Sequence, residues 1–222
     1  MKDEQRPKQR RTAPLLLLIS APSGGGKTTL CRQLLKARPG MVRAVTCTTR
    51  PPREGERNGV DYYFLSPADF LKRVQAGHFL EHATVYGNSY GLLKSELLGK
   101  LRAGKDVLLN VDVQGAATIR EQAGAELELK GALVTIFLTP TSLAEIGRRL
   151  RNRRADAPAA IDKRLSVARQ EIAQWKHFDY LMVSGTKRDD LRRALAIIEA
   201  EKMRVERSPA PEFREQAVDG QA

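Results

Sequence analysis

Residues 15–30 read Leu15-Leu16-Leu17-Leu18-Ile19-Ser20-Ala21-Pro22-Ser23-Gly24-Gly25-Gly26-Lys27-Thr28-Thr29-Leu30. An apolar run stops at small residues and three glycines, then gives way to Lys-Thr and a segment with helical spacing. This order predicts strand, phosphate loop, helix. A strand that is apolar at every position is one buried on both faces, as in a parallel sheet. Gly24, Gly25 and Gly26 permit backbone torsions and a close approach that a Cβ would block. Their N–H groups, with the start of the next helix, form a concavity that favours anions. The expected nucleotide cradle is Ala21, Pro22, Ser23, Gly24, Gly25, Gly26, Lys27, Thr28 and Thr29. Within it Lys27 reaches the β- and γ-phosphates and the Thr28 hydroxyl faces Mg²⁺. Ala21 stands where the pattern G-x-x-x-x-G-K-[ST] has its first glycine. The loop specifies a nucleoside triphosphate and nothing finer.

The rest of the composition bounds the answer. A chain of 222 residues with 41% hydrophobic residues suits one domain carrying an insertion. The net charge of +12 attracts polyanions, from nucleic acid to phosphorylated small molecules. Cys31 and Cys47 lack metal-ligand spacing, and His78, His82 and His177 form no ligand pattern. The expected metal is therefore Mg²⁺ carried in with the nucleotide. The basic stretch Lys2–Arg11 ahead of the apolar run could suggest a signal peptide, but the run is too short and the loop needs it as a strand. No segment approaches the length of a membrane span, so a cytoplasmic protein is expected.

Along the chain, the first helix is expected over Lys27–Ala37, stopping near Pro39-Gly40, with a strand over Met41–Thr46. Thr46 to Phe64 contains Pro51-Pro52 and two glycines and excludes a helix. Its Asn58-Gly59 is a hairpin signal, with Val60–Leu65 starting a strand. Ser66-Pro67 opens a helix that ends at Gly77. Phe79–Tyr90 reads as strands joined at Gly87-Asn88-Ser89, and Lys94–Ala103 as a helix. Further strands are expected at Asp106–Val113, Ala132–Leu138 and Tyr180–Val183. Helices are expected at Gln114–Ala123, Thr141–Arg154, Ala159–Lys176 and Asp189–Val205. This alternation predicts an α/β fold, a parallel sheet covered on both faces, interrupted by a β-rich insertion.

The motifs Thr48-Thr49-Arg50-Pro51-Pro52-Arg53-Glu54-Gly55-Glu56, Asn58-Gly59-Val60-Asp61-Tyr62, Phe79-Leu80-Glu81, Tyr86-Gly87-Asn88-Ser89-Tyr90-Gly91 and Val111-Asp112-Val113-Gln114-Gly115 follow the loop in order. With them, residues 14–205 resemble a guanylate kinase of bacterial type. The resemblance implies a P-loop nucleoside monophosphate kinase fold: a parallel sheet flanked by helices, a β-rich GMP-binding insertion and a helical lid. It divides the chain into a disordered basic arm (1–13), a kinase domain (14–206) and a disordered tail (207–222). The domain has its core at 14–46 and 94–206, its insertion at 47–93 and its lid at about 148–163. The implied reaction is ATP-dependent phosphorylation of GMP, and of dGMP, to GDP with release of ADP, for purine metabolism and GMP recycling. ATP and Mg²⁺ are the implied cofactors. GMP and ATP are the implied partners of a monomer or homo-oligomer that requires no nucleic acid and no membrane.

The resemblance also assigns roles. Arg50, Arg53, Tyr62 and Tyr90 match residues that hold the GMP phosphate, and Thr46 one near the base. Glu81 matches the carboxylate that reads guanine N1 and N2. Asp112 matches an aspartate between the base site and Mg²⁺, making Thr28 and Asp112 the metal residues. Arg149, Arg153 and Arg164 join Lys27 as candidates for gripping the ATP phosphates. The chemistry is coherent: guanidiniums spaced by a rigid Pro-Pro suit a dianionic phosphate. A carboxylate can accept from both N1–H and the N2 amino group of guanine, a paired edge that adenine lacks. The family's pattern is broken at Thr46 and Leu92, where it usually has Ser and Ser or Thr, and at Asn110 and Ser184, where it has Asp and Asn. Leu92 removes one hydrogen bond to the base, and Asn110 removes a charge near the metal.

Three other readings compete. A relative with this core could phosphorylate another phosphorylated small molecule such as a ribose bisphosphate. A guanylate-kinase-like scaffold module would bind peptides without catalysis, but usually has a degraded phosphate loop. A nucleic-acid-binding ATPase would need a basic stripe with stacking aromatics, whereas the basic residues here gather at the phosphate motif, the lid and the termini.

Overall fold

The computed structural model describes residues 12–85, 87–152 and 158–210, without the side chains of 85, 152 and 158–164. Its core is a five-stranded, wholly parallel sheet. The strands are β1 (Leu16–Ser20), β2 (Met41–Arg43), β7 (Asp106–Asn110), β8 (Leu133–Thr139) and β9 (Tyr180–Val183), in the order β2-β7-β1-β8-β9. The apolar run is continuous because its two faces meet different helices. Leu15, Leu17 and Ile19 pack with Leu30 and Leu34 of α1 (Lys27–Ala37) and with Ala194 and Ile198 of α8 (Lys187–Lys202). Leu16 and Leu18 pack with Leu97 and Leu101 of α3 (Lys94–Arg102) and Ile119 of α4 (Val113–Ala125). Burying such leucines contributes about 2 kcal/mol each, and β1, like β7 beside it, contributes to both layers.

A second, four-stranded sheet is drawn from residues 47–93. It comprises β3 (Cys47–Thr48), β4 (Tyr63–Phe64), β5 (Phe79–Val85) and β6 (Asn88–Leu93), ordered β4-β3-β6-β5. Its small core is Cys47, Phe70 and Phe79, with Phe70 on α2 (Pro67–Gln75) and the two rings stacked at 4.5 Å. Glu96 of α3 ties this sheet to the core by accepting from the Val45 N–H and the Tyr63 hydroxyl.

Local chemistry explains most boundaries. Ser66 caps α2 by accepting from the Asp69 N–H, and Pro67 supplies the first helical position. Gly77 and Gly104 follow α2 and α3 in the left-handed region that favours glycine. Two expectations fail. Asn58-Gly59 turns the chain but makes no hairpin, because β3 and β4 are parallel. The Asn58 side chain instead accepts from the Phe64 N–H, and the strand shrinks to Tyr63–Phe64. A separate short helix, α5 (Leu127–Ala132), follows α4, where no periodic signal stood. The last elements are α6 (Leu143–Asn152), α7 (Pro158–Ile172) and a 3-10 turn at Ala173–His177. Although residues 1–13 and 207–222 are read as lying outside the fold, the Ala13 N–H donates to the Arg207 carbonyl at 3.0 Å. Residues 1–11 and 211–222 lie outside the described residues.

Candidate active site

The loop from Ala21 to Lys27 sits at the C-terminal end of β1. Gly24 (φ 80°) and Gly26 (φ 98°) adopt torsions that side chains resist. A Cβ on Gly25 would lie 2.7 Å from Ala21 Cβ and 2.9 Å from the Pro22 carbonyl. No side chain caps α1, as none caps α3 or α5, and the Lys27 and Thr28 amides at its start are left to an anion. Gly25→Ala should therefore prise the loop open: ATP affinity measured by calorimetry should fall at least about tenfold while the unfolding transition stays cooperative.

Lys27 Nζ donates to the Ala21 carbonyl at 3.3 Å. Burial pushes its pKa down, and the carboxylates of Asp112 and Glu171 push it back up. Asp112 caps α4, its Oδ1 accepting from the Gly115 N–H at 2.8 Å. Glu81 stands across that helix start, since a Cβ on Gly115 would lie 3.5 Å from Asp112 Oδ1 and 3.7 Å from Glu81 Oε2. Burial, and then repulsion from Asp112, pushes the Glu81 carboxyl up to about 7. A register shift between Phe79 and Glu81 sets Glu81 opposite Leu92, two rungs from the pair Ala83–Tyr90. Leu92 is fully buried in the core layer of Leu16 and Leu18 and lines the neighbouring cavity.

The second cluster is built on the Pro-Pro segment. Arg50 Nη2 donates to both Glu56 oxygens at 2.9 Å, and Nη1 to the Pro51 carbonyl at 2.6 Å. Its guanidinium lies 5.5 Å from the Tyr62 ring centre, and Tyr62 meets Tyr90 edge-on at 6.2 Å. The Arg53 N–H donates to Glu56 at 2.7 Å while its side chain is exposed. Arg50, Tyr62 and Tyr90 thus come together, with Arg53 on the rim. A cavity of about 360 Å³ joins Thr28, Thr46, Tyr62, Leu92 and Asn110.

On the other side of the loop, a cavity of about 550 Å³ is lined by Gly24, Gly26, Gln33, Arg149, Ser184 and Asp190, among others. Arg149 accepts an anchor at each end: Nε donates to Glu145 at 2.7 Å, and both Nη atoms lie 3.4 Å from the Ser184 hydroxyl. That hydroxyl donates to Asp190 at 2.8 Å, so Ser184 fills a working place in the network. Arg149 also stands over the loop, 3.6 Å from where a Cβ on Gly26 would lie. Arg153 lies outside the described residues, and Arg164 is placed on α7 with its side chain outside them.

Glu56, quoted in sequence only as the end of the Thr48–Glu56 motif, organises the arginine loop. Two residues here were not singled out by sequence. Arg43, at the end of β2, donates to the Asp61 carbonyl at 3.0 Å beside Tyr62. Glu171 of α7 accepts from the Ser23 N–H of the phosphate loop at 3.0 Å. Both look in sequence like ordinary surface charges, and the partner of Glu171 lies 148 residues upstream.

The residues expected to hold Mg²⁺, Thr28 and Asp112, offer a hydroxyl and a carboxylate, both hard oxygen donors. Among the described residues no three His, Cys, Asp or Glu side chains are grouped to hold a metal. Such a set suits an ion that keeps most of its waters and arrives with phosphates. No described helix is long and apolar enough to cross a membrane.

With this geometry in hand, the comparisons with known proteins agree. The sequence model of the family described as Guanylate kinase matches residues 13–201. The guanylate kinase of Coxiella burnetii is 44% identical over 188 residues, 85% of this chain and 88% of that protein. That of Caulobacter vibrioides is 41% identical over 199 residues, 88% and 89% of the two chains. The crystal structure of guanylate kinase from Anaplasma phagocytophilum superposes with a TM-score of 0.66 at 31% identity, covering 89% of this chain and 90% of that one.

Proposed function

This chain belongs to the guanylate kinase family, ATP:GMP phosphotransferases, and from that premise we propose how its own residues divide the reaction. The loop Ala21–Thr29 holds the donor triphosphate, with the adenosine end in the cavity of Arg149, Ser184 and Asp190. Arg50, Arg53, Tyr62 and Tyr90 hold the acceptor phosphate. Thr46 and Glu81 read the base, and Leu92 closes it off from water. The observation that carries this reading is the position of Asp112, whose charge acts on Lys27 of the donor loop and on Glu81 of the acceptor site alike. On this reading the two sites meet at the start of α4, where Asp112 and Glu81 both approach Gly115.

No general base is required, because the GMP phosphate oxygen is itself the nucleophile. Catalysis is alignment plus charge stabilisation. Lys27 follows the charge on the transferring group, and Arg149, Arg153 and Arg164 close over it. Thr28 and Asp112 would hold Mg²⁺ and its waters, and the ion supplies charge neutralisation at the phosphate oxygens. The site acts on GMP, with dGMP as a further substrate, in the cytoplasm, as a monomer or homo-oligomer; the two cysteines are free and buried, and need no oxidising compartment.

Glu81 supplies a pH test with a definite sign. Its raised pKa means that near pH 6 the empty site holds a proton that the N1–H and N2 amino donors of guanine must expel. GMP affinity is expected to rise as pH increases from 6 towards 8 and then level off. Calorimetry in buffers of different ionisation enthalpy should show proton release on GMP binding near pH 6.5. In Glu81→Gln that release should vanish, and discrimination against AMP should fall by about tenfold or more. Unchanged discrimination in a coupled assay of ADP release would remove Glu81 from base reading.

A further inference from the structure

The lid-side helices α6 and α7 pack on each other through Ile146, Leu150 and Ala168. The same pair presses on the phosphate loop: a Cβ on Gly24 would lie 3.3 Å from Leu150 and 3.6 Å from Ile146. Apolar contacts of this kind hold two surfaces together but do not fix how they slide. Among the described residues, one directional bond crosses the seam, from the Ser23 N–H to Glu171 Oε2 at 3.0 Å. Glu171 is on the last turn of α7, and it is half-buried where Lys27 and Asp112 also act on it. Ser23 lies at the mouth of the loop, three residues before Gly26. Its amide is thus committed to the protein, as are those of Gly25, to the Pro22 carbonyl, and Thr29, to the Gly26 carbonyl, while the Lys27 and Thr28 amides at the start of α1 are left for an anion.

We propose that Glu171 is a positioning residue of phosphoryl transfer: its carboxylate pins the Ser23 amide to α7, fixing the donor loop in register with the helix that carries Arg164. The inference rests on the reading of Ala21–Thr29 as the donor cradle. A carboxylate suits the task because the bond is charge-assisted; burial pushes the Glu171 carboxyl up, and the Ser23 N–H and then the Lys27 ammonium offset part of that. Charge balance limits what the residue does. Glu171, Asp112 and Lys27 leave a net negative charge before nucleotide arrives, so Glu171 does not itself attract phosphate. Its effect runs through the loop's shape and the lid's placement.

The test uses the full chain carrying Glu171→Ala or Glu171→Gln. Gln retains an oxygen that can accept from the Ser23 N–H. In Glu171→Ala, kcat should fall on the order of tenfold and the KM for ATP should rise several-fold, the cost of one lost hydrogen bond at a preorganised site. The Kd for GMP alone, by calorimetry, should stay within about twofold, because the acceptor cluster lies on the other sheet. Glu171→Gln should recover most of the loss. If the alanine variant does not fold, Glu171→Met, which keeps length and helix propensity without a strong acceptor, takes its place. Two results overturn the proposal. One is kcat and ATP KM within twofold of the parent in the alanine or methionine variant. The other is a loss shared equally by the Gln variant, or by GMP binding. The parent chain is run alongside. A parent that binds GMP but turns nothing over would fail the donor-cradle reading, and affinity for a non-hydrolysable ATP analogue then decides the role of Glu171 by the same comparison.

Discussion

Lys27→Ala is expected to lower kcat for ATP-dependent GMP phosphorylation by about 10³-fold, some 4 kcal/mol of transition-state stabilisation. Lys27 is the cation inside the phosphate loop, and the carboxylates of Asp112 and Glu171 act on it. Removing it does more than delete one attraction. It leaves those two carboxylates facing the incoming triphosphate with nothing to offset them. ATP affinity should therefore fall as well, while GMP affinity, governed by the other sheet, should change by less than about twofold. Folding should survive. The ammonium is held against its own burial, so its loss removes a desolvation cost together with one 3.3 Å hydrogen bond. Stopped-flow or radiolabelled transfer gives the rate and thermal unfolding gives the fold. Turnover within about tenfold of the parent would show that charge stabilisation lies elsewhere.

The second large effect is on the acceptor side. Arg50→Ala should raise the KM for GMP on the order of 100-fold, the worth of a bidentate charge-assisted contact, with the KM for ATP nearly unchanged. Arg50 already makes such a contact in the structure, with both oxygens of Glu56, and its guanidinium is held against Tyr62. A phosphate dianion offers the same two-oxygen edge with more charge, so the site is preorganised rather than empty of partners. Arg50→Lys should recover little, since an ammonium cannot reproduce a planar fork over an aromatic ring. Equal losses for ATP and GMP would contradict the placement of Arg50 at the acceptor.

Much of this was legible from the chain because the signals were local. The glycine run ending in Lys27-Thr28, with Pro39-Gly40 beyond, is a start and a stop within one window, and α1 runs from Lys27 to Ala37 as read. Ser66-Pro67 announced α2, and Tyr180–Val183 emerged as β9 without adjustment. The misses share a cause: their meaning lies in a partner far away in sequence. Asn58-Gly59 has the composition of a hairpin, but β4 pairs with β3 in parallel and the turn serves the fourteen-residue excursion of residues 49–62. The short α5 is held by the burial of Leu129 and Ala132, not by any repeat long enough to read. Glu171 and Arg43 carry no local mark, since each is defined by a backbone group on another element. Ser184 reads as a lost side chain beside the nucleotide, and only the fold reveals that it bridges Arg149 and Asp190.

The central claim is that donor and acceptor cradles face one another across Asp112, close enough for direct transfer. Inhibition by one molecule in which adenosine and guanosine are joined 5′ to 5′ through a string of phosphates tests this most directly. The account predicts that it competes with both ATP and GMP and binds far more tightly than either alone, with the advantage lost in Lys27→Ala and in Arg50→Ala. Competition with only one substrate, or affinity no better than that of the single nucleotide, would contradict it.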